Sequence, residues 1–199
     1  MKLYLIRHGE TDWNRILRFQ GREDIPLNET GVAQARACGQ ALSGSGIQAV
    51  YTSPLKRAHL TGEIIASGAG LSPAQVHDLP ELIERDLGEY SGMYLKDRSD
   101  YFSLSAGEDA GGMEPFSDVL NRMYLALKKL DETGFSTLAA VSHGAAINVL
   151  LAGLSHRRMG TGKTKLYNGG ISMLEGNTRD GFQITACNLR PEEFPGQED

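Results

Sequence analysis

The chain is poor in the features that mark several functional classes. It has two cysteines in 199 residues, Cys38 and Cys187, and no CxxC or Cys/His cluster, so a zinc site is not expected. Cys38 lies among Ala35, Ala37, Ala41 and Leu42 and reads as a packed free thiol. No apolar run approaches the roughly 18 residues of a membrane span. The N-terminal stretch KLYLI falls short of the roughly 7–15 apolar residues of a signal peptide, which points to a soluble, cytoplasmic chain. A basic excess is also missing. Twenty Lys+Arg against 25 Asp+Glu give a formal net charge of −5, which argues against nonspecific nucleic-acid binding and against an anionic membrane surface. It does not exclude a local cationic pocket.

What is present fits one ordinary globular unit. At about 100–200 residues per domain, the length suggests a single compact domain. We place it over residues 1–190, with an acidic, disordered tail over 191–199. Apolar residues make up 40% and charged residues 23% of the chain, too apolar for a disordered one. Glycine is abundant, at 24 residues.

Short apolar runs alternate with helical patterns. Strands are expected at Lys2–Ile6, Ala49–Thr52 and Thr137–Ser142, with a weaker one at Gln75–Leu79. Helices are expected at Thr30–Leu42, from Ser53 to about Ala66, at Asp118–Leu130 and at Ala145–Ala152. Ser53 reads as an N-cap and Pro54 as the first helical residue. Ile171–Glu175 and Phe182–Cys187 flank a turn and form a hairpin or loose strand pair. Ser105–Gly112 reads as an exposed loop. The fold class is therefore α/β, with a mostly parallel central sheet and helices on both faces.

In such folds ligands bind beyond the carboxyl ends of the strands. Four segments fall there: Arg7-His8-Gly9, Ser53-Pro54-Leu55-Lys56-Arg57, the stretch holding Glu81 and Glu84, and Ser142-His143-Gly144. Guanidinium forks bind phosphate oxygens and stay charged at any working pH. A neutral imidazole can attack phosphorus, and a protonated one can stabilise the transferring group. A carboxyl group can protonate the leaving oxygen. A glycine after each histidine lets a ligand approach the backbone. The helix after Ser53 adds N-terminal amides.

Arg7-His8-Gly9-Glu10-Thr11, Asn14, the SPLKRAHLT stretch at 53–61, Glu84 with Leu87-Gly88, and Ser142-His143-Gly144 together resemble the histidine phosphatase superfamily, the phosphoglycerate-mutase-like enzymes. The resemblance implies that His8 is the nucleophile, that Arg7 and Arg57 bind phosphate, and that His143 contacts the transferring group. It implies Glu84 as the acid, singled out from Glu81, Asp86 and Glu89 by its spacing to Leu82 and to Leu87-Gly88. Asn14, Gln20, Gly21 and Gly144 fall where the family lines its substrate pocket. For hydrolytic members no metal or organic cofactor is implied, and the partner is a small phosphorylated substrate.

His59, His77 and His156 match nothing and read as structural or solvated. Trp13 and Phe19 fit packing of the N-terminal loop as well as contact with substrate, and Lys56 fits solvent as well as substrate. Tyr90-Ser91-Gly92 departs from the aromatic-Glu-Gly run of many members. Between Gly92 and Phe116 the only cations are Lys96 and Arg98, where mutases carry lysine and paired arginines. The expected activity is a phosphomonoesterase acting through phosphohistidine. The alternatives are mutase-type phosphoryl transfer and a catalytically silent phosphate-binding module.

Overall fold

The computed structural model describes residues 1–97 and 111–194. Six strands form one sheet: β1 (Lys2–Arg7), β2 (Ala49–Thr52), β3 (Val76–Asp78), β4 (Thr137–Ser142), β5 (Ile171–Asn177) and β6 (Gly181–Leu189). Their order across the sheet is β3-β2-β4-β1-β5-β6. The pairs β2–β3, β2–β4 and β1–β4 are parallel, whereas β5 is antiparallel to both β1 and β6. The two late strands are thus a hairpin added to one edge of the sheet.

The central strands are apolar on both faces because helices cover both. Side chains alternate along a strand, so Leu3, Leu5, Leu138 and Ala140 join one core while Tyr4, Ile6, Ala139 and Val141 join the other. Helices α2 (Glu29–Ala41) and α3 (Lys56–Gly68) cover the second face with Cys38, Ala58, Ile65 and Ala66. Helices α4 (Phe116–Glu132) and α5 (Gly144–Leu154) cover the first. On α4, Val119, Met123, Ala126, Leu127 and Leu130 are buried, the stripe expected from helical spacing. A one-turn helix, α1 (Asp12–Arg15), stands in the polar loop after β1 and is closed by a Thr11–Asn14 capping box.

One expectation is corrected. Helix α3 starts at Lys56 with Leu55 as its N-cap, so Ser53 and Pro54 lie outside it. Its first amide is taken by Asp24 Oδ1 at 2.7 Å, and Ser53 serves a histidine instead. The beginning of the acidic tail is held. Pro191–Glu193 form a 3-10 turn, and the Phe194 ring packs edge-on against Tyr4 at 5.7 Å. Residues 195–199 lie outside the described residues, as does all of the 105–112 loop except Gly111 and Gly112.

Gly9 has a different use from the one its place after His8 suggested. A Cβ there would lie 2.3 Å from the carbonyl oxygen of Gly31, and one on Gly31 would lie 2.1 Å from that of Glu10. The two glycines let the first turn of α2 press directly on the backbone that carries His8. Replacing Gly31 by Ala is expected to destabilise the fold by about 1–3 kcal/mol, the usual cost of overpacking. Urea denaturation checks this, and an unchanged midpoint would contradict it.

Candidate active site

The carboxyl ends of β1, β2 and β4 meet at a cleft of about 200 Å³. Its lining includes Arg7, His8, Asn14, Gln20, Gly21, Arg57, Glu84 and Gly144. Of the nine residues to which the resemblance gives a catalytic or substrate-binding place, only His143 is absent from this wall. It is fully buried, with its ring centroid 5.1 Å from that of His8. Glu81 and Asp86 face elsewhere, toward Lys129 and Arg22 respectively. Among the acids near the motif, Glu84 alone lines the cleft. His59 is tied to Asp78 at 2.8 Å and does not line the cleft.

His8 is held by its own neighbour. Its Nδ1 lies 2.6 Å from the Gly9 carbonyl, which can only accept, so Nδ1 carries the proton and Nε2 keeps its lone pair. Burial, then the charges of Arg57 and Arg7, hold this imidazole well below its ordinary pKa. His143 is likewise held low, first by burial and then by Arg57, His8 and Arg7. Its Nε2 lies 2.7 Å from Ser53 Oγ, while Ser53 accepts the Leu55 N–H at 3.4 Å. The pair is joined either by Nε2–H donating to the hydroxyl or by the hydroxyl donating to Nε2, and in both cases Nδ1 is left out of it. That atom is buried and has no partner among the described residues.

Both arginines are fixed through backbone carbonyls. Arg57 donates to Glu23 O at 2.5 Å and to Gly21 O at 2.8 Å, and Arg7 donates to Leu166 O at 2.7 Å. The Nε atoms of both are buried without a partner among the described residues. Burial lowers both pKa values, that of Arg57 to about 10, and nearby Glu84 opposes the shift in each. Both stay cationic at neutral pH.

Glu84 accepts three backbone N–H groups. Arg85 and Ala146 donate to Oε1 at 2.8 and 3.0 Å, and Ala145 donates to Oε2 at 3.2 Å. The carboxylate therefore caps the first turn of α5, where helix amides favour negative charge. Oε2 keeps the more open valence. Gly144 starts the same helix beside Arg7, whose Nε would make only ordinary contact, at 3.5 Å, with a Cβ there.

The pocket-side residues are tied to one another. Asn14 Oδ1 accepts the Thr11 amide at 3.1 Å, and Gln20 Oε1 accepts the Thr11 hydroxyl at 2.9 Å. Gly21 has φ +50°, in the left-handed region, and a Cβ on it would meet Ser91 Oγ at 2.8 Å. The sequence reading missed several contributors. Thr61 takes the Gly9 amide at 3.1 Å and donates to Arg57 O at 2.6 Å; its place one turn beyond Arg57 on α3 was an available signal. Asn168 donates to His8 O at 3.1 Å from a segment with no periodic pattern, so nothing in the sequence marked it. Arg18, Phe19 and Leu87 form an outer wall, with the Arg18 guanidinium stacked 4.1 Å from the Trp13 ring.

A buried, neutral imidazole beside two fixed cations and a carboxyl group is suited to phosphoryl transfer. The sequence model of the histidine phosphatase superfamily (branch 1) matches residues 3–190, and the chain belongs to that superfamily. It is 36% identical over 172 residues to an uncharacterized phosphatase, PhoE, of Bacillus subtilis, with 86% of each chain covered. It is 37% identical over 161 residues to a probable phosphoglycerate mutase, GpmB, of Cronobacter sakazakii, covering 76% of this chain and 74% of that one. A solved phosphoserine phosphatase mutant from Entamoeba histolytica, in complex with phosphoserine, matches at TM-score 0.80 and 28% identity, over 95% of this chain and 97% of that one.

The buried neutral rings have a consequence for stability. A histidine whose folded pKa lies below its unfolded value of 6.5 binds its proton more readily in the unfolded chain. Stability is therefore full above that value and falls as pH drops below it, by up to about 1.4 kcal/mol per pH unit for each ring. Urea unfolding between pH 7.5 and 5 should give a shallower slope for His143→Gln than for the unaltered protein. Equal slopes would contradict a neutral buried His143.

Proposed function

We propose that this protein is a phosphomonoesterase that hydrolyses a small phosphorylated metabolite through a phosphohistidine on His8. The observation that carries the reading is the Nδ1 bond to the Gly9 carbonyl, which leaves Nε2 as a buried lone pair between two arginines. As Nε2 forms its bond to phosphorus, the bond from phosphorus to the ester oxygen breaks. Glu84, a carboxylate in the unliganded protein, takes up a proton as the phosphate dianion binds and gives it to that oxygen, and a neutral alcohol departs. The ring gains positive charge in this step, and the Gly9 carbonyl, bonded to Nδ1–H, stabilises it.

In the second half, water attacks phosphorus and gives a proton to Glu84, while the N–P electron pair returns to Nε2. Phosphate leaves and the starting state is restored. Arg7 and Arg57 neutralise the phosphoryl oxygens throughout, and His143 offers Nδ1, which has no other partner among the described residues. A bound phosphate dianion also supplies the counter-charge that the empty cleft lacks, so His143 can take up a proton when substrate is present.

Two observations favour water over a second substrate as acceptor. The cleft is small, and the segment between Gly92 and Phe116 has only Lys96 and Arg98 to grip another anion. The identity to a probable mutase favours the competing reading, in which the phosphoryl group passes to phosphoglycerate.

Acid quench during turnover is expected to trap an acid-labile phosphoryl group that is lost in His8→Ala, along with about a thousandfold or more of kcat. A broad phosphoester panel should release inorganic phosphate. Interconversion of 2- and 3-phosphoglycerate without such release would overturn the hydrolytic reading, and turnover with no trapped phosphoenzyme would overturn the covalent one.

A further inference from the structure

Glu84 must place one oxygen against the leaving group, yet it stands in irregular backbone between two 3-10 turns, Pro80–Leu82 and Gly88–Tyr90. Misplacement by about 1 Å can cost a hundredfold in rate. The backbone on both sides of Glu84 is tied to one ion pair. Arg122, on α4, donates from Nη1 to the carbonyls of Glu81 at 2.9 Å and Ile83 at 2.5 Å. The second of these belongs to the peptide bond that enters Glu84. The rest of the same guanidinium forms a fork on Glu114, with Nε to Oε1 at 2.8 Å and Nη2 to Oε2 at 3.0 Å.

Glu114 holds the far side. Its carboxylate accepts the Asp86 N–H at 3.2 Å, and its carbonyl accepts Arg85 Nε at 2.7 Å. Its own N–H donates to Asp86 O at 2.9 Å. Positions 81, 83, 85 and 86 are thus secured, and the side chain of Glu84 is left to face the cleft. The pair is largely buried, with side-chain exposures of 15% for Arg122 and 12% for Glu114, so it is little screened by solvent.

A third residue joins this frame to the phosphate side. Arg22 donates from Nε to Glu84 O at 3.2 Å and pairs through Nη2 with Glu114 at 3.2 Å. It sits between Gly21 and Glu23, whose carbonyls fix Arg57. Those carbonyl bonds to Arg57 involve neither Glu114 nor Arg122.

We propose that Glu114 and Arg122 are positioning residues that set the reach of Glu84 toward the leaving oxygen and act through it alone. The inference rests on the reading of Glu84 as the acid. Lysine cannot replace Arg122, because a point charge cannot hold a carboxylate fork and two carbonyls together.

The test compares kcat/KM, which reports on transfer to His8 and not on later hydrolysis, for p-nitrophenyl phosphate and for an alkyl phosphate. The second has a poor leaving group and needs the proton. In Glu84→Gln, Arg122→Leu, Arg122→Lys and Glu114→Gln, the alkyl ester is expected to lose about 10-fold or more beyond any loss with the aryl ester. Inhibition by inorganic phosphate should change by less than about threefold, because Arg7 and Arg57 are untouched. Combining Arg122→Leu with Glu84→Gln should add no further discrimination.

Equal losses on both substrates in the Arg122 and Glu114 variants, with discrimination kept in Glu84→Gln, would overturn the positioning role alone. Absence of discrimination in Glu84→Gln would overturn the acid assignment and this inference together. If Arg122→Leu fails to fold, Glu114→Gln and Arg122→Lys carry the same comparison with the same outcomes.

Discussion

Arg7 and Arg57 bring two positive charges into a cleft that also buries two imidazoles, and neither charge can be shed at neutral pH. Burying like charges together is costly unless their donors are satisfied and an anion is near. The surrounding chain meets that requirement. Carbonyls of Gly21, Glu23 and Leu166 take guanidinium donors, and Glu84 stands close enough to oppose the shift in both arginines. Burial first, and then the field of the two arginines, keeps His8 and His143 unprotonated, and that field suits a dianion. A phosphate group completes the charge balance that the protein leaves open.

The fold supplies this arrangement through backbone contacts more than through side-chain packing. Parallel strands β1 and β4 lie in register with Arg7 opposite Ser142, which brings His8 and His143 out of the sheet side by side. The paired glycines at 9 and 31 bring α2 onto the loop behind His8. The first turn of α5 orients the carboxylate of Glu84, and α4 reaches over through Arg122 to hold the same residue from behind. Each reacting group is thus positioned by an element other than the one that carries it. This explains how loop residues can meet the tolerances of phosphoryl transfer.

Much of this was legible in the sequence. The alternation of apolar runs and helical stripes specified the layered α/β fold, because both periodicities follow from burial on two faces of a sheet. Arg7, His8, Arg57, Glu84 and His143 were readable from their motifs at strand ends. Local chemistry misled where a tertiary contact outranked it. Ser53-Pro54 has the composition of a helix start, but the Ser53 hydroxyl bonds His143 and the helix begins later. Gly9 follows His8, yet the close approach that excludes a side chain is that of α2. Asn168 and the Glu114–Arg122 clamp could not be read, because such hydrogen bonds join distant segments without leaving a period or a spacing.

The proposed chemistry turns on the state of one ring: His8 neutral, with its proton on Nδ1 and its lone pair on Nε2. Nitrogen-15 NMR of the histidine side chains in the unliganded protein, followed from pH 7.5 to 5, measures this directly, with His8→Asn to assign the signals. The expected result is a neutral Nδ1–H imidazole throughout that range. A His8 that titrates near 6.5, or that carries its proton on Nε2, would contradict it.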